Sequence, residues 1–458
     1  MSKYFKRTNK FADLSAQYDL VDTLVAGTAS MIAAGETYLP KEPAESMSTY
    51  RIRLNNSTLA PYYKRTIAKA VGKAFAKGIN VQTPAPLEYL IDSVDGSGTS
   101  LETFSKQLLH SAINYGITYI LVDMPINDSV TIADAQRNNA QPYMVEIKPT
   151  QVLDVKTDYI GSKVTLTYFR FQEDVIEYSV DGLLQTSISQ VKEFSNDGGR
   201  VLCNIYRKEK GGKEYLYAAI DMVGFTQIPI VPVYANKLSP FIGSPVLMDL
   251  AHLNVKHWRK QSDADWAEHF SMTPILALKG FNQTPDAEGN IQEFIISANT
   301  SVVLPSDGSI EWVKGDASTM QQARESLKHL EDQMEKFGLE LTVQQATGTE
   351  TATGRMIDAA ESNSILKTIV IDLEWAIYNA IVIAGQLIGV DATQTVLEMD
   401  KTYTVSNSTD ISLLKDLFAA GILDRDEVRR ELATRRILLS ESIDLTTPSN
   451  NAINNTVE

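Results

Sequence analysis

The sequence predicts an α+β protein in which a mixed body carries two long helices with a small β segment between them. The hydrophobic period is helical over the first third of the chain and changes to strand-like alternation from about 142 to 236. Two further helical stretches, 244–271 and 317–341, enclose the strand-like residues 272–316. Grouping of helices and strands in this way is typical of the α+β class.

Composition and charge exclude several classes of function. The 458 residues are 43% apolar and 22% charged, which is ordinary for a globular chain of about two to four domains. A formal net charge of −15 argues against a protein that holds DNA by neutralising its phosphates. The single cysteine, Cys203, excludes an intrachain disulfide and a cysteine-clustered metal site, and it is typical of a reducing cytoplasm.

No segment is expected to enter a membrane. Residues 1–17 lack the apolar core of a signal peptide. The most apolar stretch, 375–390, is interrupted by Asn379 and Gln386 and is too short to span a bilayer.

The body, residues 1–243, is expected to begin with helices and to continue as an antiparallel β unit. Helix breaks are predicted at Pro61 and near Gly78. The sequence TSLE at 99–102 has the pattern of a capping box and starts a helix that leads into the strand TYILVDMP. Gly211–Gly212 predicts a hairpin turn between two strands.

The first long helix, 244–271, has few apolar residues for its length. Ser244 and Pro245 predict its start, as an N-cap followed by a first-turn proline. Between Lys256 and Asp265 the only large apolar side chain is Trp258. Because such a helix has no broad apolar stripe to bury in the core of its own subunit, we expect it to be held by other subunits as well as by its own subunit.

Residues 272–316 predict a small β module made of the strands TPILALKGF, EFIISANTSVVLP and SIEWVKG. The last two of these alternate in the way that paired strands do. The turns NQTPDAEGN and SDG separate the three strands and are expected at the tip of the module.

The second long helix, 317–341, carries a strict heptad seam. Its apolar positions are spaced alternately by three and four residues: Met320, Ala323, Leu327, Leu330, Met334, Phe337 and Leu341. A stripe this narrow suits packing against neighbouring helices, including those of other subunits. The residues predicted to pack between subunits are Trp258, Trp266, Ala323, Leu327, Leu330, Met334 and Phe337.

A polar loop is predicted at 342–354, because this stretch has five threonines, two glycines and one charge, Glu350. A long helix with a wide apolar face follows and is expected to return to the body within 355–404. Two short helices are predicted in 405–440, and the asparagine-rich tail 441–458 is expected to be disordered.

No catalytic or metal-binding constellation is found. His252, His257 and His269 share one helix, but their spacing does not place a pair on one face, as a zinc helix requires. The glycine-rich DGSGTS at 95–100 reads better as a turn and helix cap than as a phosphate loop. Asp123 is read as a turn residue, and the arginines at 429–436 as a solvated helix face. The sequence therefore predicts a protein that is not an enzyme and that needs no cofactor and no metal.

Four stretches resemble a known family. They are YRIRLNNSTLAPYYKRTIAKAVGKAF at 50–75, GTSLETFSKQLLHSAINYGITYILVDMP at 98–125, GSPVLMDLAHLNVKHWRKQSDADWAEHFSMTPILALKGF at 243–281 and TATGRMIDAAESNSILKTIVIDLEWAI at 351–377. The sequence resembles the portal proteins of tailed bacteriophages, in particular a branch catalogued as a phage domain of unknown function. The similarity extends over most of the chain.

The resemblance implies a ring, typically dodecameric, at one vertex of the capsid, through which double-stranded DNA is packaged and ejected without tight binding. It implies a terminase motor, the major capsid protein and a tail adaptor as partners. The parts it implies are a wing (1–243 and 355–404), a stem (244–271 and 317–341), a clip (272–316), a tunnel loop (342–354) and a short crown or further wing helices (405–440).

The resemblance also implies two functional segments. The tunnel loop would line the DNA channel with Ala346, Thr347, Gly348, Thr349, Glu350, Thr351, Ala352 and Thr353. The clip tip would dock the motor or adaptor with Asp286, Ala287, Glu288, Gly289, Asn290 and Asp307. An acidic channel would repel the phosphate backbone at every position, so DNA could slide.

Two other classes of function remain open from the sequence. One is a coiled-coil scaffold protein, which the heptad helix alone would fit. The other is an enzyme whose site is assembled between subunits and is therefore not visible in one chain.

Overall fold

The computed structural model describes residues 3–125, 141–178, 185–209, 212–272, 275–279, 308–313, 317–341, 352–399, 401, 418 and 425. The chain divides into two units, Met1–Lys401 and Thr402–Glu458. Of the second unit only residues 418 and 425 are described, so the predictions for 405–440 and 441–458 otherwise lie outside the described residues.

Helices make up most of the first third of the chain, as predicted. They are α1 Asn9–Ala26, α2 Thr28–Ala34, α3 Met47–Asn56, α4 Tyr62–Ala74, α5 Tyr89–Asp92 and α6 Leu101–Tyr115. Both predicted breaks are confirmed, since α4 starts directly after Pro61 and Gly78 adopts a φ of 70° just before β1, Ile79–Gln82.

Helix α6 begins one residue later than the predicted capping box requires. Ser100, and not Thr99, is the N-cap, and its Oγ accepts a hydrogen bond from the backbone N–H of Thr103. Glu102 is therefore in the first turn, where it pairs with Lys106 at 2.6 Å instead of reaching back to the cap. Gly116 ends the helix in the left-handed conformation, as helix C-termini commonly do.

Two antiparallel sheets form the β part of the body and confirm the predicted β unit. The smaller sheet has β2 Ile117–Asp123 between β3 Tyr143–Ile147 and β9 Ile230–Tyr234. The larger sheet follows chain order: β4 Val152–Ile160, β5 Lys163–Tyr178, β6 Gln185–Asp197, β7 Arg200–Lys208 and β8 Glu214–Asp221. Their apolar faces share one core, in which the rings of Tyr119 and Phe169 meet at 5.2 Å.

The chain then crosses back over the start of the smaller sheet and enters a helical hairpin. After the short β10 (Lys237–Ser239) and β11 (Ile242–Gly243), helix α7 runs from Met248 to Met272. It begins four residues after the predicted Ser244, because Ser244 still pairs with Asn236 through its backbone N–H (3.3 Å) and its Oγ (2.9 Å).

The predicted order of helix, β module and helix is confirmed. Helix α7 is followed by β12 (Ile275–Lys279) and β13 (Ser309–Val313), which pair antiparallel, and then by α8, Ala317–Leu341. The strand SIEWV therefore pairs with ILALK. The predicted strand EFIISANTSVVLP lies outside the described residues.

Helix α9, Ala352–Ile388, returns to the body and is the longest helix of the described chain. Its predicted apolar face is confirmed at the described side chains: Leu366, Ile369, Leu373, Ala376, Ile377, Ala380, Ile381 and Ala384 are all buried. Within it, Ile365–Ile388 is long and apolar enough to cross a membrane, but 61% of its most apolar 18-residue stretch is buried inside the protein, as in a core helix. The chain then forms β14, Val396–Met399, which pairs with β1.

Candidate functional site: the helical hairpin and its base

Helices α7 and α8 form an antiparallel pair joined by side-chain contacts along their length. His257 Nε2 lies 3.1 Å from Glu331 Oε1, and Lys260 Nζ donates to Ser326 Oγ at 2.7 Å. Nearer the β module, Arg324 pairs with Glu268. Residue numbers rise along α7 as they fall along α8, so the β12–β13 pair lies at the end of the hairpin away from the body.

Helix α7 is held at its base by its own chain, and Trp258, predicted to pack between subunits, is buried there. Trp258 is 0% exposed, so it cannot contact another copy without unfolding. The polar residues Asn254, His257 and Ser262 are buried as well. Because buried polar groups need partners, the low apolar content of this helix reflects hydrogen bonding to the body and to α8.

Asn254 joins α7 to the start of α4. Its Oδ1 accepts from the backbone N–H of Tyr63 at 3.0 Å, and its Nδ2 donates to the carbonyl oxygen of Ala60 at 2.9 Å. The N–H of Tyr63 is one of the first groups of a helix, which have no partner within the helix itself. A side chain of the hairpin therefore caps a helix of the body.

Asn254→Ala is expected to lower the free energy of unfolding by about 2 kcal/mol or more, because it leaves the Tyr63 N–H and the Ala60 carbonyl without partners. Urea denaturation would measure the loss. Lys256→Ala, at an exposed position of the same helix, is the control and should change stability by less than about 0.5 kcal/mol. Equal effects of the two changes would contradict the capping role.

Arg53 joins the opposite face of α7 to the body. Its guanidinium binds both oxygens of Glu45 (2.9 and 2.8 Å) and lies 3.4 Å from Asp263 of α7. Arg259 also donates to the carbonyl oxygen of Tyr38 at 2.7 Å. The hydrogen bonds from Arg53 lower the pKa of Glu45, although burial acts in the other direction.

Glu45→Gln is expected to destabilise the protein at neutral pH and to have less effect in acid. A carboxyl group whose pKa is lower in the folded state stabilises the fold above its unfolded pKa, and that stabilisation is lost as the pH falls through the folded pKa. Thermal unfolding from pH 7 to about pH 3 would therefore show the two proteins converging. Glu42→Gln is the control, and a difference that stays constant across this range would contradict the ionic role of Glu45.

The heptad seam of α8 also packs largely within the chain. Leu327, Leu330 and Met334 are 7%, 3% and 1% exposed, so their predicted role between subunits is corrected. They face α7 and α4, and Gly338 allows the close approach, since a Cβ there would lie 2.7 Å from Thr66 Oγ1. Ala323 and Phe337 are exposed and Trp266 is half-buried, so these three remain available to a neighbour.

A groove of about 370 Å³ lies between α7 and α8 in the outer half of the hairpin. Ala264, Ala323 and Leu327 contribute apolar surface, and Glu268 and Arg324 lie beside them. The small alanine side chains leave this groove open, whereas large side chains close the seam nearer the body.

Most of the residues implied by the family resemblance are not described. The clip-tip residues 286–290 and 307, and the tunnel-loop residues 346–351, lie outside the described residues. Ala352 and Thr353 belong to helix α9, so the predicted loop 342–354 is shorter at its end by three residues.

The other motifs have structural roles. Asp95 fills the glycine-rich turn at 95–100 with its own carboxylate, which accepts from Ser97 and Thr99, so no phosphate fits there. Burial raises the pKa of Asp95, but these hydrogen bonds outweigh it and hold the pKa well below its usual range.

Asp123 has partners that the sequence did not reveal, Tyr143 OH at 3.3 Å and Lys192 at 3.7 Å. Among the described residues no cluster could hold a metal ion.

Comparison with known proteins adds one family and several structures. Residues 246–387, the hairpin and most of α9, match the family described as Domain of unknown function (DUF4055). No curated protein matches. A structure described as the virion of a native gene transfer agent particle aligns at 12% identity and a TM-score of 0.42, covering 89% of this chain and 99% of the other.

Two further structures give similar values. The neck of the native gene transfer agent particle, computed with C12 symmetry, aligns at 14% identity and a TM-score of 0.43, covering 89% of this chain and 98% of the other. The neck of the empty particle, computed with C6 symmetry, aligns at 13% identity and a TM-score of 0.39, covering 89% and 99%.

Proposed function

We propose that this chain is the subunit of a portal-type ring of a tailed phage, through which double-stranded DNA enters and leaves the capsid. The observation that carries the proposal is the antiparallel hairpin of α7 and α8. It starts from an α+β body, carries a β pair at its far end, and is followed by a helix that returns to the body. This is the order of wing, stem, clip and returning wing helix that the sequence resemblance implies.

The match to the family of unknown function supports the proposal, because it covers the hairpin and the returning helix. The heptad seam of α8, which is not fully buried within the chain, supports the proposal too. Phe337, 38% exposed, and the open groove beside Ala323 leave apolar surface on a hairpin that would lie beside its neighbours in a ring.

The proposed function needs no chemistry in this chain. The formal net charge of −15 would make a channel that repels phosphates, so DNA meets no deep binding well and can move. The energy for packaging would come from a separate terminase motor, which we propose to dock, like the tail adaptor, at the β module. The major capsid protein would surround the ring.

Negative-stain images and sedimentation of the purified chain test the proposal directly. Rings with a central hole would support it. Rods would favour the scaffold protein instead, and a protein that stays monomeric at all concentrations would contradict the ring.

Glu350→Lys tests whether the segment before α9 lines the channel. A ring of lysines would hold phosphates, so packaging in vitro is expected to slow or stall, and more so at low salt because exposed charges are screened at high salt. Glu350→Gln should be mild, since it adds no cation. Packaging by Glu350→Lys at the wild-type rate at low salt would show that this segment faces away from the DNA.

A further inference from the structure

One stretch of this acidic chain has no acidic residue at all. Residues 46–87 contain seven lysines and arginines and no aspartate or glutamate. Since the whole chain has a formal charge of −15, the remaining residues carry −22. Positive charge is thus concentrated in α3, in α4 and in the turn that follows α4.

Helix α4 presents part of this charge on one exposed face. Lys64, Arg65 and Lys69 are exposed, with the small residues Ala68 and Gly72 between and beside them. A Cβ at Gly72 would meet nothing within 4 Å, so the surface there is open. Within the described part of the chain, no carboxylate forms an ion pair with these three cations. We call Lys64, Arg65 and Lys69 the α4 cationic face.

The positive field extends beyond α4. Burial lowers the pKa of His110 on α6, and the charges of Lys148 and Lys64 lower it further. Two cations from different elements therefore act on one imidazole. A positive surface of this kind on an acidic protein calls for an anionic partner.

The other side of the hairpin base carries acidic groups. Glu36 and Glu42 are exposed, and Asp263 of α7 has a side chain that is 62% exposed. Burial raises the pKa of Asp263, the charge of Arg53 lowers it, and Glu42 raises it, so the carboxylates of Glu42 and Asp263 lie close enough to interact. We call Glu36, Glu42 and Asp263 the acidic patch.

The two surfaces flank α7 on opposite sides. Arg259, Ser262 and Asp263 lie on the face of α7 that contacts residues Tyr38, Arg53 and Ser57, the side on which Asp263 and the neighbouring Glu42 form part of the acidic patch. Asn254, His257 and Glu268 face α4 and α8. At 100° per residue these two sets lie about 180° apart around the helix.

We propose that the α4 cationic face of one copy docks on the acidic patch of a second copy. The inference deepens the proposed ring and rests on it, since a closed ring needs two different complementary surfaces on each subunit. These two surfaces have opposite charge and lie on opposite sides of the element that would form the stem. Duplex DNA is the less favoured partner, because the chain as a whole repels it.

A charge-reversal triple variant, Lys64→Glu with Arg65→Glu and Lys69→Glu, tests the proposal. The proportion of rings in sedimentation at about 0.1 M salt should fall, with the dissociation constant per contact rising about tenfold or more, because attraction becomes repulsion. The matched control is the triple change of Lys10, Lys163 and Lys213 to Glu. These lysines are exposed, so the control alters the net charge equally elsewhere. It should assemble as the wild type does.

A compensating change makes the test specific. Adding Glu36→Lys and Glu42→Lys to the triple variant restores opposite charges across the contact and should restore part of the ring population. Thermal unfolding of each variant checks that the fold is intact.

Two results would overturn the docking proposal. If wild-type protein forms rings and the α4 variant forms them equally well, the docking is wrong and the ring stands. Loss of binding to a duplex of about 30 base pairs by that variant would then assign the face to nucleic acid. If the wild type stays monomeric, both the docking and the proposed ring fail.

Discussion

Gly116→Ala is expected to lower the free energy of unfolding by about 3–5 kcal/mol and to reduce the yield of folded protein. Gly116 has a φ of 83°, and a Cβ there would lie 1.8 Å from the carbonyl oxygen of Ser244. Its own carbonyl oxygen accepts from both Ala235 and Asn236 at 2.9 Å, so the chain cannot move aside without losing these bonds. The backbone segments at Gly116 and Ser244, which cross just before the hairpin begins, would have to move apart.

Changes at two other glycines separate the cost of the left-handed conformation from the cost of the steric clash. Gly98 has a φ of 90° with nothing within 4 Å, so Gly98→Ala should cost only about 1–2 kcal/mol for the left-handed conformation. Gly72, in the interior of α4, has neither strain nor a neighbour within 4 Å, so Gly72→Ala should stabilise by up to about 1 kcal/mol. Urea denaturation of all three would measure this order. A Gly116→Ala value as small as that of Gly98→Ala would show that the crossing is not tight.

Leu330→Asp is expected to destabilise the whole of the first unit, and not only assembly. Leu330 is 3% exposed among α7, α8 and α4. A carboxylate at this site would lose its hydration without a partner, and the leucine contacts would be lost as well, so we expect at least about 4 kcal/mol. Circular dichroism with thermal unfolding would show a large fall in Tm.

Ala323→Asp is the matched control, since Ala323 occupies the same heptad seam one heptad before Leu330 and is exposed. It should leave Tm within a few degrees, because an exposed carboxylate keeps its water. If Ala323→Asp nevertheless lowers the proportion of rings, the part of the α8 heptad seam nearer the β module contacts neighbouring subunits, as the sequence predicted. A Leu330→Asp protein with unchanged Tm but no rings would instead restore the original interpretation of Leu330.

Sequence periodicity alone determined the order of the elements. The heptad of α8, the apolar face of α9 and the alternation between 142 and 236 each come from spacing within one segment, and the structure confirms all three. Pro61 and Gly78 likewise marked real helix breaks, because their backbone restrictions act locally. The α+β class and the hairpin with its β pair followed from these local patterns.

The tertiary structure alone decided which surface each helix covers. Trp258 and Leu330 were expected between subunits because their stripes are narrow, yet α4 and the polar contacts of Asn254 and Arg53 complete their burial. A packing partner from a distant part of the chain leaves no trace in the spacing of apolar residues along one helix. The same reason hid the crossing of Gly116 and Ser244, and it hid the placement of the α4 cationic face and the acidic patch on opposite sides of α7. Such pairings depend on the path of the whole chain, which local periodicity does not encode.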